Sequence, residues 1–131
     1  MTIVVDASAI VALLVDDGVD GRWVEQQLSD ATLVGPHLLH IEVASVLRRA
    51  VLSGDLSSDA ANLAYRNLFL LPIELSPLEP FARRVWDLRP TVTAYDAWYV
   101  ALAEALDAPL VTLDARLAGA PGPTCTFVVP A

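Results

Sequence analysis

The sequence predicts an α/β fold, a parallel sheet with helices on both faces. Two observations carry that expectation. Short strand-like runs alternate with helical segments along the 131 residues, the order that right-handed crossovers turn into a parallel sheet. The opening run, Thr2-Ile3-Val4-Val5, is rich in β-branched residues and does not alternate with polar ones, as in a strand buried on both faces. The length suits a single domain spanning 1–131.

The elements follow in order. After the first strand, residues 8–15 are small and apolar and read as a short helix, broken by Asp16-Asp17-Gly18. Residues 19–28 carry Trp23, Val24 and Leu28 at helical spacing. Residues 31–34 read as a second strand, stopped by Gly35-Pro36. Residues 37–52 form a long helix whose Glu42 lies on or beside the apolar stripe, with Arg48-Arg49 near its negative end. Ser57-Ser58-Asp59 opens a helix to about residue 70, and Pro72 ends it. Residues 73–75 make a third short strand, 79–88 a helix ended by Pro90, and 93–107 the next strong helix. That last helix starts Thr93-Ala94-Tyr95-Asp96, which resembles a capping box. Residues 109–113 read as a fourth strand, 115–118 as a short helix and 127–129 as a last strand.

Composition bounds the function. A net charge of −8 argues against gripping nucleic acid by bulk charge. It leaves room for approach through cations held on carboxylates, which reverse the local field. All eight basic residues are arginine, which excludes Schiff-base and P-loop lysine chemistry. His37 and His40 read as helix-start residues, and no His/Cys spacing suggests zinc. The lone Cys125 cannot form an internal disulfide and fits a reducing cytoplasm. No apolar run reaches the length of a membrane span, and the start lacks a signal-peptide pattern. The 55% hydrophobic content therefore points to a core or an interface.

Two strands end in aspartate, at Asp6 and Asp114. In a parallel sheet both lie on the carboxyl edge, where ligands bind in open α/β folds. Glu42, one turn into its helix, can point over the same edge; the place of Asp96 depends on the path after Pro90. Each acid also has a bland reading as a helix cap or surface group. Four carboxylates without lysine or clustered histidine suit a hard cation, Mg²⁺ or Mn²⁺.

The motifs Val5-Asp6-Ala7-Ser8, Ile41-Glu42-Val43-Ala44, Tyr95-Asp96-Ala97-Trp98 and Val111-Thr112-Leu113-Asp114 resemble the successive motifs of PIN-domain ribonucleases, most closely VapC-type toxins of toxin–antitoxin pairs. The resemblance implies a five-stranded parallel sheet and a Mg²⁺- or Mn²⁺-dependent endoribonuclease. It implies an acidic quartet of Asp6, Glu42, Asp96 and Asp114, with Asp6 and Asp96 as the surest metal ligands. Ser8 and Thr112 match hydroxyl positions that orient ligands or water, and Arg116 could meet a phosphate. It further implies cleavage of tRNA or rRNA, a homodimer and an antitoxin partner; exposed apolar surface over residues 56–71 would suit that partner or the dimer. Arg48, Arg49, Arg83 and Arg84 join Arg116 as candidate phosphate contacts. Two rival functions remain. A haloacid-dehalogenase-like phosphatase would want an aspartate where Ser8 stands, and a later lysine. A non-catalytic module would use the acids only to dock a basic segment.

Overall fold

The computed structural model describes residues 1–131. Five parallel strands form one sheet: β1 (Thr2–Val5), β2 (Thr32–Pro36), β3 (Ile73–Ser76), β4 (Leu110–Val111) and β5 (Phe127–Val128), in the order β3-β2-β1-β4-β5. The chain leaves β1 toward β2 and β3, then returns to the other side of β1 for β4 and β5. The direction of winding thus reverses between β1 and β4. In open α/β sheets the crevice outside such a reversal is where ligands bind.

The helices are α1 (Ala7–Val15), α2 (Val19–Leu28), α3 (Leu39–Leu52), α4 (Ser58–Leu68), α5 (Ala82–Asp87, entered through a 3₁₀ turn at Glu79–Phe81), α6 (Ala94–Leu106) and α7 (Ala115–Ala118). Helices α1 to α4 pack on one another, and α5 packs on α6. Right-handed crossovers on the two sides of the winding reversal send these groups to opposite faces of the sheet. The core takes Val4, Val5, Leu110 and Val111 from the sheet, Ile10 and Val43 from the first group, and Tyr99, Val100 and Leu102 from α6, all essentially buried. No helix is long and apolar enough to cross a membrane.

Several boundaries differ from the sequence reading. The second strand continues through Gly35-Pro36 rather than stopping there. The His37 N–H bonds Ser76 O at 2.9 Å on the β3 side. Alternation along the strand turns the Pro36 nitrogen to the β1 side, where pairing has already ended at Val34, so the missing donor costs no ladder bond. Gly35 also admits α3, because a Cβ there would stand 2.8 Å from the Leu39 side chain. The fourth strand is shorter than expected and ends at Val111. Beyond Thr112 the backbone N–H groups turn to side chains: Leu113 donates to Ser8 Oγ at 3.1 Å and Asp114 to Thr112 Oγ1 at 3.0 Å. The segment expected as one helix over 79–88 is the 3₁₀ turn followed by α5.

Over 56–71 the surface is apolar in part. Leu63, Tyr65, Phe69 and Leu70 are exposed, while Ala64 and Leu68 are buried. His40 stacks on Phe69 with ring centres 5.0 Å apart, and Tyr65 meets the same ring edge-on.

Candidate active site

The carboxyl ends of β1 and β4 lie side by side, with Val5 paired to Val111. The next residue on each strand is therefore at the same level, and these are Asp6 and Thr112. Asp6 is the N-cap of α1: its Oδ1 accepts the Ala9 N–H at 3.0 Å and the Ser8 hydroxyl at 2.6 Å. Its Oδ2 accepts the Thr112 hydroxyl. Three donors occupy three of the roughly four lone-pair sites a carboxylate offers, and the side with room is Oδ2. Capping and site-building are thus one arrangement. Ser8 and Thr112 each also accept a backbone N–H from the turn after β4, so the two strand ends are stitched together through their hydroxyls.

Asp114 caps α7, its Oδ1 accepting the N–H groups of Arg116 at 3.0 Å and Leu117 at 3.2 Å. Asp96 lies in the first turn of α6, where the Thr93 hydroxyl accepts its N–H at 3.2 Å. The reciprocal bond of a capping box, from the Thr93 N–H to the Asp96 carboxylate, is not formed, which leaves that carboxylate directed to the site. The chain after Pro90 does return to the carboxyl edge, the point the sequence left open. Glu42 reaches the edge from the first turn of α3 and its Oε1 accepts the Tyr99 hydroxyl at 3.0 Å. Tyr99 is 1% exposed. Its role was not evident in the sequence, where an aromatic residue inside a strongly apolar helix reads as core; only its hydroxyl signalled a buried partner.

The electrostatics are of one sign. Burial pushes the Asp6 carboxyl above its ordinary range, opposed by Ser8, Thr112 and Ala9, and the Asp96 charge pushes it further. Burial also raises Glu42, opposed by Tyr99, with Asp96 and Asp6 adding to the rise. Asp96 is raised by burial and by Asp114, with Thr93 opposing. The Tyr99 hydroxyl is raised by burial and by Glu42. No cation offsets any of these acids.

The donor set is of the kind a divalent cation takes. Every donor is oxygen, the chemistry that Mg²⁺ and Mn²⁺ select. Glu42 Oε2 and Asp114 Oδ2 accept no hydrogen bond from the protein. No three His, Cys, Asp or Glu side chains close into a preformed cage. Mg²⁺ typically takes one or two carboxylates and keeps several waters, so an open cluster matches it better than a closed one would.

The arginines sort differently from expectation. Arg84 is not at this site: it grips Glu104 at 2.7 and 3.1 Å and the Gly122 carbonyl at 3.0 Å, near the far end of α6. Arg83 pairs with Asp87 at 3.3 Å on the exposed side of α5. Arg84 is thus committed to partners within the fold, while Arg83 stays on an exposed helix face. Arg48 and Arg49 part company. Arg48 lines an apolar groove of about 290 Å³ between α3 and α4 with Leu47, Val51 and Tyr65. Arg49 lines a separate cleft of about 340 Å³ with Glu42 and Tyr95. Arg116 lines a third, of about 330 Å³, with Asp96 and Asp114.

Sheet order, winding reversal and an acid-lined crevice at the strand ends define a class that comparison identifies directly. The PIN domain family model matches residues 3–122, and the chain belongs to that family. Within it, the chain is 45% identical over 126 residues to Ribonuclease VapC1 of Mycobacterium tuberculosis, covering 93% of this chain and 92% of the relative. Ribonuclease VapC9 of the same species is 39% identical over 127 residues, covering 97% of each. Among solved structures, Mycobacterium tuberculosis VapC20, described as a Sarcin-Ricin loop cleaving toxin, superposes with a TM-score of 0.72 at 14% identity, over 98% of this chain and 99% of that one.

Proposed function

We propose that the carboxylates of Asp6, Glu42, Asp96 and Asp114 hold Mg²⁺ or Mn²⁺ and that the chain hydrolyses RNA phosphodiesters there. It is an endoribonuclease of the VapC type, the toxic member of a toxin–antitoxin pair, a reading supported by 39–45% identity to VapC ribonucleases over most of its length. The observation that carries the metal dependence is a set of oxygen-donor carboxylates, Asp6 and Glu42 oriented by hydroxyl donors and Asp96 sharing a cleft with Asp114, none of them closed by an ion pair.

Asp6 and Asp96 would bind the cation directly, and Glu42 and Asp114 directly or through water. When bound, the cation lowers the pKa of a water and neutralises charge on the phosphodiester. The chain's own part is positional. Ser8 and Thr112 fix both oxygens of Asp6, and Tyr99 fixes Glu42, as outer partners orient metal ligands elsewhere. Hydrolysis adds water across the P–O3′ bond, leaving a 5′-phosphate and a 3′-hydroxyl. The substrates are tRNA or rRNA loops, whose unpaired bases are accessible. The enzyme works in the cytoplasm as a homodimer. An antitoxin silences it by laying an apolar segment over the groove between α3 and α4, which exposed Leu52 and Tyr65 line.

Cleavage of total cellular RNA by the purified chain with Mg²⁺ or Mn²⁺ tests this. Discrete cuts that vanish with EDTA and with Asp6→Asn are expected. Folded, antitoxin-free protein that makes no metal-dependent cut in any RNA class would overturn it.

A further inference from the structure

Two arginines line clefts that also hold acids of the site. Of the eight arginines, Arg83 and Arg84 are held by carboxylates. Arg22 donates to the Asp17 carbonyl and Arg89 to the Trp86 carbonyl, over whose ring it also lies. Arg48, Arg49, Arg66 and Arg116 make no ion pair and no side-chain hydrogen bond, and of these Arg49 and Arg116 share a cleft with one or two of the four acids. They do so in two separate clefts: Arg49 with Glu42, Arg116 with Asp96 and Asp114. An arginine left without a partner next to uncompensated carboxylates is not there to neutralise them, since neither closes to ion-pair distance.

The Arg49 cleft has a second component. Tyr95 precedes Asp96 at the start of α6 and is 59% exposed; Ile41, facing it across the cleft from α3, is 61% exposed. Leu38 and Ser45 complete the wall. An exposed tyrosine ring beside an apolar side chain and a free guanidinium is the composition of a single-strand nucleotide site: a stacking face for a base and a fork for its phosphate. Duplex would not suit it, because stacking needs an unpaired base and a chain of net charge −8 cannot hold duplex by bulk attraction.

We infer that single-stranded RNA crosses the carboxyl edge from Arg49 to Arg116 with the acids between them, and that Tyr95 stacks on an unpaired base next to the phosphate being cut. The inference rests on the ribonuclease reading above and adds to it a path and a base-reading residue. Arg49 and Arg116 hold flanking phosphates. Tyr95 places one base and so selects where along a loop the cut falls.

The test uses the full chain, with an unstructured RNA oligonucleotide for binding and the total-RNA digest for cut positions. Binding is measured on the Asp6→Asn background over a range of salt, and cleavage on the wild-type background. Arg49→Ala and Arg116→Ala are each expected to weaken binding about tenfold and to lower the salt slope by about one. Arg22→Ala, which removes the same charge from a side chain that lines neither cleft, should leave both unchanged. Tyr95→Ala is expected to raise KM about tenfold with kcat little changed and to spread the cuts over more positions. Equal losses for Arg22→Ala and Arg49→Ala would overturn the path. Tyr95→Ala that keeps the cut positions and instead turns a dimer into a monomer would give the cleft to a second copy and overturn the base-reading role. Wild-type protein that cuts RNA normally while all three edge variants match it would overturn the path and leave the ribonuclease reading standing. Wild-type protein that neither binds nor cuts RNA would overturn both.

Discussion

Helix α6 carries an acid near each end, and the two live in opposite worlds. Glu104, toward its C-terminus, would be raised by burial, but the Arg84 guanidinium and the Thr124 N–H and hydroxyl outweigh that and bring its carboxyl below the ordinary range. Asp96, in the first turn, is raised by burial and by Asp114, with Thr93 opposing and no cation in ion-pair contact. Glu104 ties α5, α6 and the loop before β5 together and is finished as a structural group. Asp96 and the acids around it are left electrostatically incomplete, which is the state expected of a site built for an outside partner. Burial raises both; an arginine closed to ion-pair distance at one end and not at the other separates them.

The largest effects should fall at the incomplete end. Asp6→Asn and Asp96→Asn are expected to lower RNA cleavage on the order of 10³-fold, about 4 kcal/mol of barrier. Without metal, Asp6→Asn should also melt higher than wild type in a thermal scan. The sign follows from the shift. A carboxyl raised in the folded state adds stability below its unfolded value and loses it as pH rises through the folded one. At neutral pH the wild type therefore carries a buried charge that asparagine lacks. An inactive variant that is less stable than wild type would show that Asp6 is mainly a structural cap.

Thr112→Val and Tyr99→Phe come next. Each removes one donor that orients an acid, and each should reduce metal affinity or cleavage about 10- to 100-fold, read by titration and by initial rates. Divalent-metal affinity should also fall as pH is lowered, because the raised acids retain protons further up the scale than free carboxylates do.

Glu104→Gln is the complementary case. It should cost about 1–2 kcal/mol in denaturant unfolding, a modest figure because the Arg84 side chain is 37% exposed and screened by solvent. Cleavage per folded molecule should be unchanged. Since the folded carboxyl is lowered, the stability it contributes is present above the unfolded value and lost as pH falls through the folded one. The wild-type advantage should therefore shrink in acid.

Two acids of the incomplete site were legible in the sequence; the Glu104 end was not. An apolar run into Asp6 and another into Asp114 placed two acids on one edge, because strand direction in a parallel sheet leaves no other choice. Asp96 could not be placed by that logic, since a loop of undetermined path precedes α6, and its place came from the resemblance to PIN-domain motifs. The Tyr99–Glu42 bond spans 57 residues and joins helices from the two packed groups, a pairing that no local pattern encodes. Arg84 was misread for the same reason: beside Arg83 it looks like a basic surface pair, and its partner lies 20 residues away. The strand through Gly35-Pro36 was missed because a proline's effect depends on which neighbour its nitrogen faces, which is a property of the sheet.

The most direct measurement is calorimetric titration of Mn²⁺ into wild type, Asp6→Asn, Asp96→Asn and Glu104→Gln. Binding by wild type and Glu104→Gln, with loss in both aspartate variants, is the result expected if the incomplete acids are the metal site. Equal binding by all four proteins, or loss in Glu104→Gln alone, would contradict it.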